Sequence, residues 1–209
     1  MNLAGHYELW ELGYEHTDPS LSNLMVDSQG QGILNDWDLC HVRHSVPDQK
    51  HHQERTGTIP FMALDLLTQQ YWNGQIQRLY RHDLEAFIWI LPWVFLQYDG
   101  QKLSDDPVFE RWNSGDYDGV RARKVAYLHS MLFEIPPMEC WKEEWQFAQF
   151  LLSWLRDIEI ARVSSGNPFI KQDPSPKDVT YDDFQRKVEE AEKFYPPLCS
   201  MHSIFSKEL

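Results

Sequence analysis

Residues 86–96 read Ala-Phe-Ile-Trp-Ile-Leu-Pro-Trp-Val-Phe-Leu, eleven residues without a single polar side chain. A helix that is apolar on every side has to be surrounded by other elements, so this run predicts a central helix with the rest of the chain wrapped round it. It is too short to span a bilayer, which takes roughly 20 residues, and Pro92 interrupts it. The charged stretch Arg81-His82-Asp83-Leu84-Glu85 opens the helix. With 209 residues, 42% of them hydrophobic and nine of them Trp, the chain has enough material for one packed domain with a sizeable core.

Around that helix the pattern predicts a mainly α fold with a small β-hairpin. Leu24-Met25-Val26 and Gly32-Ile33-Leu34 flank the turn residues Asp27-Ser28-Gln29-Gly30, which is a hairpin signal. Residues 40–58 are polar and aperiodic and read as a loop. Residues 103–112 and 117–133 are expected to be helices. Phe147, Phe150, Leu151, Trp154, Leu155 and Ile158 recur at three- and four-residue intervals, the stripe of another buried helix. Composition changes at Asn167-Pro168, so the expected division is a lobe over 1–166 and, over 167–209, a linker, a charged helix from Thr180 or Tyr181 to Phe194, and a tail.

The net charge of −13 and a pI near 5.0 argue against nucleic acid or an anionic membrane surface as partner, since both need a basic face. A basic protein substrate or protein partner remains open. Three scattered cysteines, Cys40, Cys140 and Cys199, and the lack of a basic, then apolar leader after Met1 point to an intracellular site, cytoplasmic or nuclear. Cys40, His41, His44, His51 and His52 are the one cluster with metal-ligand chemistry. In a polar loop they read as a solvated, pH-sensitive stretch rather than as zinc ligands on rigid elements.

The stretch with chemical content is residues 14–39. His16-Thr17-Asp18, Asn23 and Asp36-Trp37-Asp38 gather two carboxylate positions and an amide oxygen within one short stretch. Hard oxygen ligands suit Mg²⁺, which takes few protein ligands and keeps its waters. Taken singly, such residues are ordinary in turns.

Their order resembles that of a protein kinase, whose H-R-D-x-x-x-x-N loop is followed by D-F-G. The motifs are most similar to those of the fungal-type protein kinase-like family, with an aspartate-aromatic-aspartate in place of D-F-G. Gly32-Ile33-Leu34-Asn35-Asp36-Trp37-Asp38-Leu39, Arg55-Thr56-Gly57-Thr58, and the helix opening Asp83-Leu84-Glu85-Ala86-Phe87 carry the likeness, and Trp112-x-x-Gly115 followed by Lys124 adds to it. The resemblance covers roughly residues 5–160 and implies a kinase-like C-lobe with ATP-dependent phosphotransfer to protein hydroxyls. It implies Asp18 as catalytic base, Asn23 and Asp36 as the residues for ATP and Mg²⁺, and His16, Thr58, Asp65 and Asp83 as structural support. Asp65 is expected to pair with Arg156 or Arg162, and Asp83 to accept hydrogen bonds from the backbone of the His16 loop.

Other parts of the kinase pattern are missing from this sequence. It has no Gly-x-Gly-x-x-Gly, and its first lysine is Lys50, so the expected lobe lacks an N-lobe. Residues 1–49 carry eight acids against Arg43 alone, a formal charge of −7, so phosphates would be met by Mg²⁺ or not at all. Thr17 replaces the loop arginine, Ser20 stands where a lysine is usual in serine/threonine kinases, and Ser22 where tyrosine kinases carry an arginine. The expectation is therefore impaired phosphotransfer, with a catalytically inactive, pseudokinase-like interaction module as the alternative. Residues 55–65, which resemble an activation segment ending, argue against a small-molecule phosphotransferase.

Overall fold

The structure, a computed structural model, describes residues 4–28, 32–38, 40–43, 57–164 and 180–195. Its axis is helix α3, Tyr80–Gln97, in which fourteen of eighteen residues are buried. Fully burying each large apolar side chain stabilises the fold by about 1.5–3 kcal/mol, so the run at 86–96 dominates the core. The helix continues through Pro92 although proline has no N–H to bond the carbonyl of Ile88.

Four helices close on this axis. Helix α5, Trp145–Ser164, packs along it with Phe147, Ala148, Leu151, Leu152 and Leu155 buried. Helix α4, Tyr117–Ala126, runs on into a π turn, Tyr127–Met131. Helix α6, Tyr181–Phe194, starts at Thr180, whose hydroxyl accepts from the Asp183 N–H while the Asp183 carboxylate accepts from the Thr180 N–H. It lies on α3 and α5, burying Tyr181, Phe184 and Ala191. Helix α1, Ala4–Glu11, is pinned by aromatic contacts: Trp10 and His6 meet Tyr80 at 5.3 Å, and Tyr7 stacks on Tyr181 at 4.4 Å. A four-residue helix α2, Gln69–Trp72, is capped by the Thr68 hydroxyl.

The β structure consists of three two-stranded antiparallel pieces. The hairpin joins β2, Leu24–Val26, to β3, Gly32–Leu34, with Leu24 opposite Leu34 and Met25 opposite Ile33. Strand β1, Tyr14–Glu15, pairs with β4, His41–Val42, across the start of the stretch read as a loop. Strands β5, Tyr98–Asp99, and β6, Lys102–Leu103, turn at Gly100, whose φ of 62° suits glycine.

Two expectations need correction. Residues 103–112 are not a helix: Leu103 ends a strand, Asp105-Asp106-Pro107 breaks the chain direction, and a 3-10 turn at Glu110–Asn113 follows. Tertiary packing decides the conformation there, with Phe109 stacked on Trp112 at 4.0 Å and Trp112 edge-on to Trp89 at 5.5 Å. The helix expected over 117–133 leaves α geometry at Ala126 and ends its π turn at Met131. The linker at 167–179 lies outside the described residues. No described helix is long and apolar enough to cross a membrane.

Candidate functional site

Strand β1 leads into the buried loop that carries His16, Thr17 and Asp18. The His16 Nε2 lies 2.7 Å from the Asn35 carbonyl, and its Nδ1 accepts from the Asp18 N–H at 3.3 Å. A carbonyl can only accept, so the proton sits on Nε2 and the ring is neutral. Burial acts in the same direction, pushing the imidazole below its ordinary pKa. The ring also stands edge-on to Trp37 at 4.6 Å. His16 thereby ties the first loop to the residue before Asp36.

Two residues of this neighbourhood hold left-handed backbone without being glycine, Thr17 at φ 70° and Asp36 at φ 63°. For β-branched Thr17 this is costly, and such strain persists only where its surroundings enforce it. Asp36 is exposed, while Trp37 beside it donates to the Leu34 carbonyl at 2.9 Å.

Asp18 is already engaged. Its Oδ1 accepts from the Thr58 N–H at 2.6 Å and its Oδ2 from the Thr58 hydroxyl at 3.1 Å. The Asn23 amide donates to the Asp18 carbonyl at 3.0 Å and approaches Oδ2 at 3.4 Å. The Asn35 N–H in turn donates to the Asn23 carbonyl at 2.8 Å, placing Asp36 next in line. With the Asn23 nitrogen committed to Asp18, its amide oxygen and the exposed Asp36 carboxylate are the hard donors of this neighbourhood. This donor pair fits Mg²⁺, which needs few protein ligands. No group of three or more His, Cys, Asp or Glu positioned for a metal occurs among the described residues. His44, His51, His52, Arg55 and Thr56 lie outside them.

The segment after Gly57 is held from beneath by a row of charged groups. Gly57 adopts φ 123°, and a Cβ there would come 3.2 Å from Met62 Cγ, so glycine is required twice over. Asp18 holds Thr58. The fully buried Lys124 donates to the Met62 carbonyl at 2.6 Å and lies over the Trp89 ring at 4.4 Å. Burial pushes its ammonium well below the usual lysine range, with Glu85 opposing. Glu85 accepts from the Leu64 N–H at 2.8 Å and from Trp89 Nε1 at 3.1 Å. A small cleft over Phe61, Met62 and Leu66 opens beside Thr17, Asp18 and Thr58.

Asp65 ends the row. Arg81 donates to it at 2.6 Å, His82 Nε2 lies 3.5 Å away and Arg162 4.0 Å away. Burial alone would raise its carboxyl, but His82 and Arg81 overcome this and hold it far below the carboxylate range. Of the two arginines expected for Asp65, Arg162 comes near, while Arg156 turns to Asp157 at 3.3 Å. The principal partner, Arg81, comes from the helix that Asp65 rests on. His82 is pushed down to about 4, first by burial and then by Arg81.

Asp83 departs from expectation. Its carboxylate receives no hydrogen bond from the backbone of the His16 loop; it pairs with Arg78 and lies 3.3 Å from His6 Nε2. Burial would raise this carboxyl, and Arg78 followed by His6 overturns that, lowering it to about 2. His6 stands in α1 and also touches His16, at 6.4 Å between ring centres, so Asp83 reaches the loop through a second histidine. Sequence reasoning missed His6, Arg78 and Glu85. Only Glu85 left a signal, an acid on the edge of an otherwise apolar helix.

A carboxylate and an amide on one loop, with an exposed aspartate next to the residue tied to that loop and an anchored return segment, are residue types that phosphotransfer proteins use. Residues 2–95 match the model of the family described as fungal protein kinase, which supports a fungal protein kinase-like domain in this part of the chain. The matched stretch includes His16, Asp18, Asn23, Asp36, Thr58, Asp65 and Asp83. No curated protein and no solved structure matches the chain.

Proposed function

We propose that this chain carries a protein-kinase-type phosphotransfer site on a C-lobe-like scaffold, of low turnover, that moves the γ-phosphoryl group of ATP to a hydroxyl of a protein substrate. The observation that carries the reading is the single connected network in which Asp18, Asn23, Asn35 and His16 bring Asp36 beside the loop. Asp18 accepts the proton of the acceptor hydroxyl; a carboxylate has about four lone-pair sites, so its two bonds to Thr58 and the contact from Asn23 leave one to spare. Asn23 and Asp36 would hold Mg²⁺, which would supply neutralisation of the phosphate charge. The Thr58 hydroxyl orients Asp18.

Low turnover follows from what this sequence does not offer. Removing one preorganised charge stabiliser typically costs about 10²- to 10³-fold in rate, and Ser20 stands where serine/threonine kinases usually carry a lysine. The engagement of Asp18 by Thr58 and Asn23 favours a second reading, an inactive module that presents protein-binding surface. Transfer of labelled phosphate from Mg-ATP to a basic protein separates the two. Slow transfer that disappears in Asp18→Asn supports the first, and transfer no faster in the native chain than in Asp18→Asn leaves the second.

A further inference from the structure

His6 of α1 is buried where the parts of the candidate site meet. Its Nε2 lies 3.3 Å from Asp83 Oδ2 and its Nδ1 3.0 Å from the Tyr80 hydroxyl, so both ring nitrogens face α3. The ring stands 5.9 Å from that of Trp37, 6.4 Å from that of His16 and, edge-on, 5.5 Å from that of Phe87. Helix α1 presents His6 from a fixed position, since Tyr7 and Trp10 of the same helix pack on Tyr80 at 5.1 and 5.3 Å. His16 offers no further polar hold of its own. Both its nitrogens are spent on Asn35 and Asp18, so the plane of its ring is set by packing, edge-on to Trp37 at 4.6 Å and beside His6.

We infer that His6 is a positioning residue: bonded to Asp83 through Nε2, its ring is fixed, and the fixed ring holds His16 and Trp37 together, which aligns the loop of Asp18 with the segment of Asp36. The Asp83 carboxyl is ionised, because Arg78 and His6 lower it to about 2, and an ionised carboxylate only accepts. The proton between the two residues therefore belongs to His6 Nε2 whatever the charge on the ring. The Tyr80 hydroxyl can donate or accept, so it meets Nδ1 in either state. A phenyl ring at position 6 would fill similar space but leave Asp83 and Tyr80 each a partner short and lose the bonds that fix its plane. Support from a locked neighbour is what holds a functional side chain within a fraction of an ångström of its working place. The use of this alignment for phosphotransfer rests on the roles proposed for Asp18 and Asp36; the alignment itself does not.

Nuclear magnetic resonance of the isotope-labelled native chain reads the alignment without nucleotide or turnover. The native chain should show a proton on His6 Nε2 that exchanges slowly with water, and nuclear Overhauser contacts between the His16 ring and the Trp37 indole. In His6→Phe these His16–Trp37 contacts should be lost or averaged while contacts between α3 and α5 persist; a residue that only filled the core would leave them in place. His6→Gln, which keeps a donor for Asp83 but no ring, serves where His6→Phe does not fold, and it should lose the same contacts. A chain without measurable phosphate transfer would leave the native signals unchanged, so failure of the proposed chemistry and failure of the alignment are read separately. A native His6 with no proton on Nε2, or His16–Trp37 contacts that survive intact in either folded variant, overturns the positioning role.

Discussion

Asp83 and Asp18 are both aspartates of the matched region, but their surroundings set different costs for losing them. Asp83 is fully buried between Arg78 and His6. Asp83→Ala strands a buried guanidinium and should cost about 3–5 kcal/mol, the usual penalty for breaking a buried pair from one side. Asp18 is half-buried and holds Thr58 by two hydrogen bonds, so Asp18→Ala should cost about 1–2 kcal/mol. Denaturant melts of the two variants should differ by at least about 1 kcal/mol, with Asp83→Ala the weaker; equal losses would remove Asp83 from its structural role. From sequence, Asp18, Asn23 and Asp36 stood out because their order resembles that of the kinase motifs. Their link through His16 and Asn35 did not, because a side chain bonding to a carbonyl nineteen residues on leaves no pattern. The Asp83–His6 contact was invisible for the same reason, since the two residues are seventy-seven positions apart.

At the scale of elements, α3 holds the return segment through Arg81, His82 and Glu85, and α4 contributes Lys124. His82 makes this arrangement sensitive to acid. Its pKa is held at about 4, below that of the unfolded chain, so as pH falls below about 6.5 the unfolded state binds a proton that the folded state refuses. Stability is thus lost on going down from about pH 6.5 to pH 4, by about 3 kcal/mol for this group. Glu15 and Glu159, raised by burial, act in the opposite sense just above the ordinary glutamate range. The difference between the native chain and His82→Gln isolates the histidine: the unfolding free energy of the variant should decrease less steeply over this window, and parallel profiles would contradict the assignment. Lys124→Met should cost about 1–3 kcal/mol by stranding the Met62 carbonyl, and exchange at residues 62–64 should rise before exchange in α5.

The elements themselves were unevenly legible. The hairpin of β2 and β3 and helix α6 follow from local signals, a turn between short apolar triplets and a Thr180 cap, and both lie at the expected residues. Residues 103–112 misled because Leu103, Val108, Phe109 and Trp112 are apolar enough for a helix. Their aromatic partners Trp89 and Tyr127 come from distant segments. The paired ends β1–β4 and β5–β6 are two residues each, too short to carry an alternation.

At the scale of the molecule, the apolar run of α3 predicted the outcome best: a helix that must be buried organised a mainly helical body, with Ile88 and Trp89 almost wholly shielded. Ile88→Ala should lower stability by about 2–5 kcal/mol in a single cooperative melt. On this body the fungal protein kinase-like residues place hard oxygen donors at one edge. The sequence around them is acidic, −7 over residues 1–49, so on the proposed reading nucleotide would be held through the metal. The most direct measurement is a melt of the native chain with ATP, with and without Mg²⁺, beside the same series for Asp36→Ala. The account predicts no stabilisation by ATP without the metal. It predicts a small gain with it, about 0.4 kcal/mol where the ligand concentration equals Kd, lost in Asp36→Ala. Stabilisation by ATP in the presence of a chelator, or a magnesium-dependent gain that survives in Asp36→Ala, would contradict it.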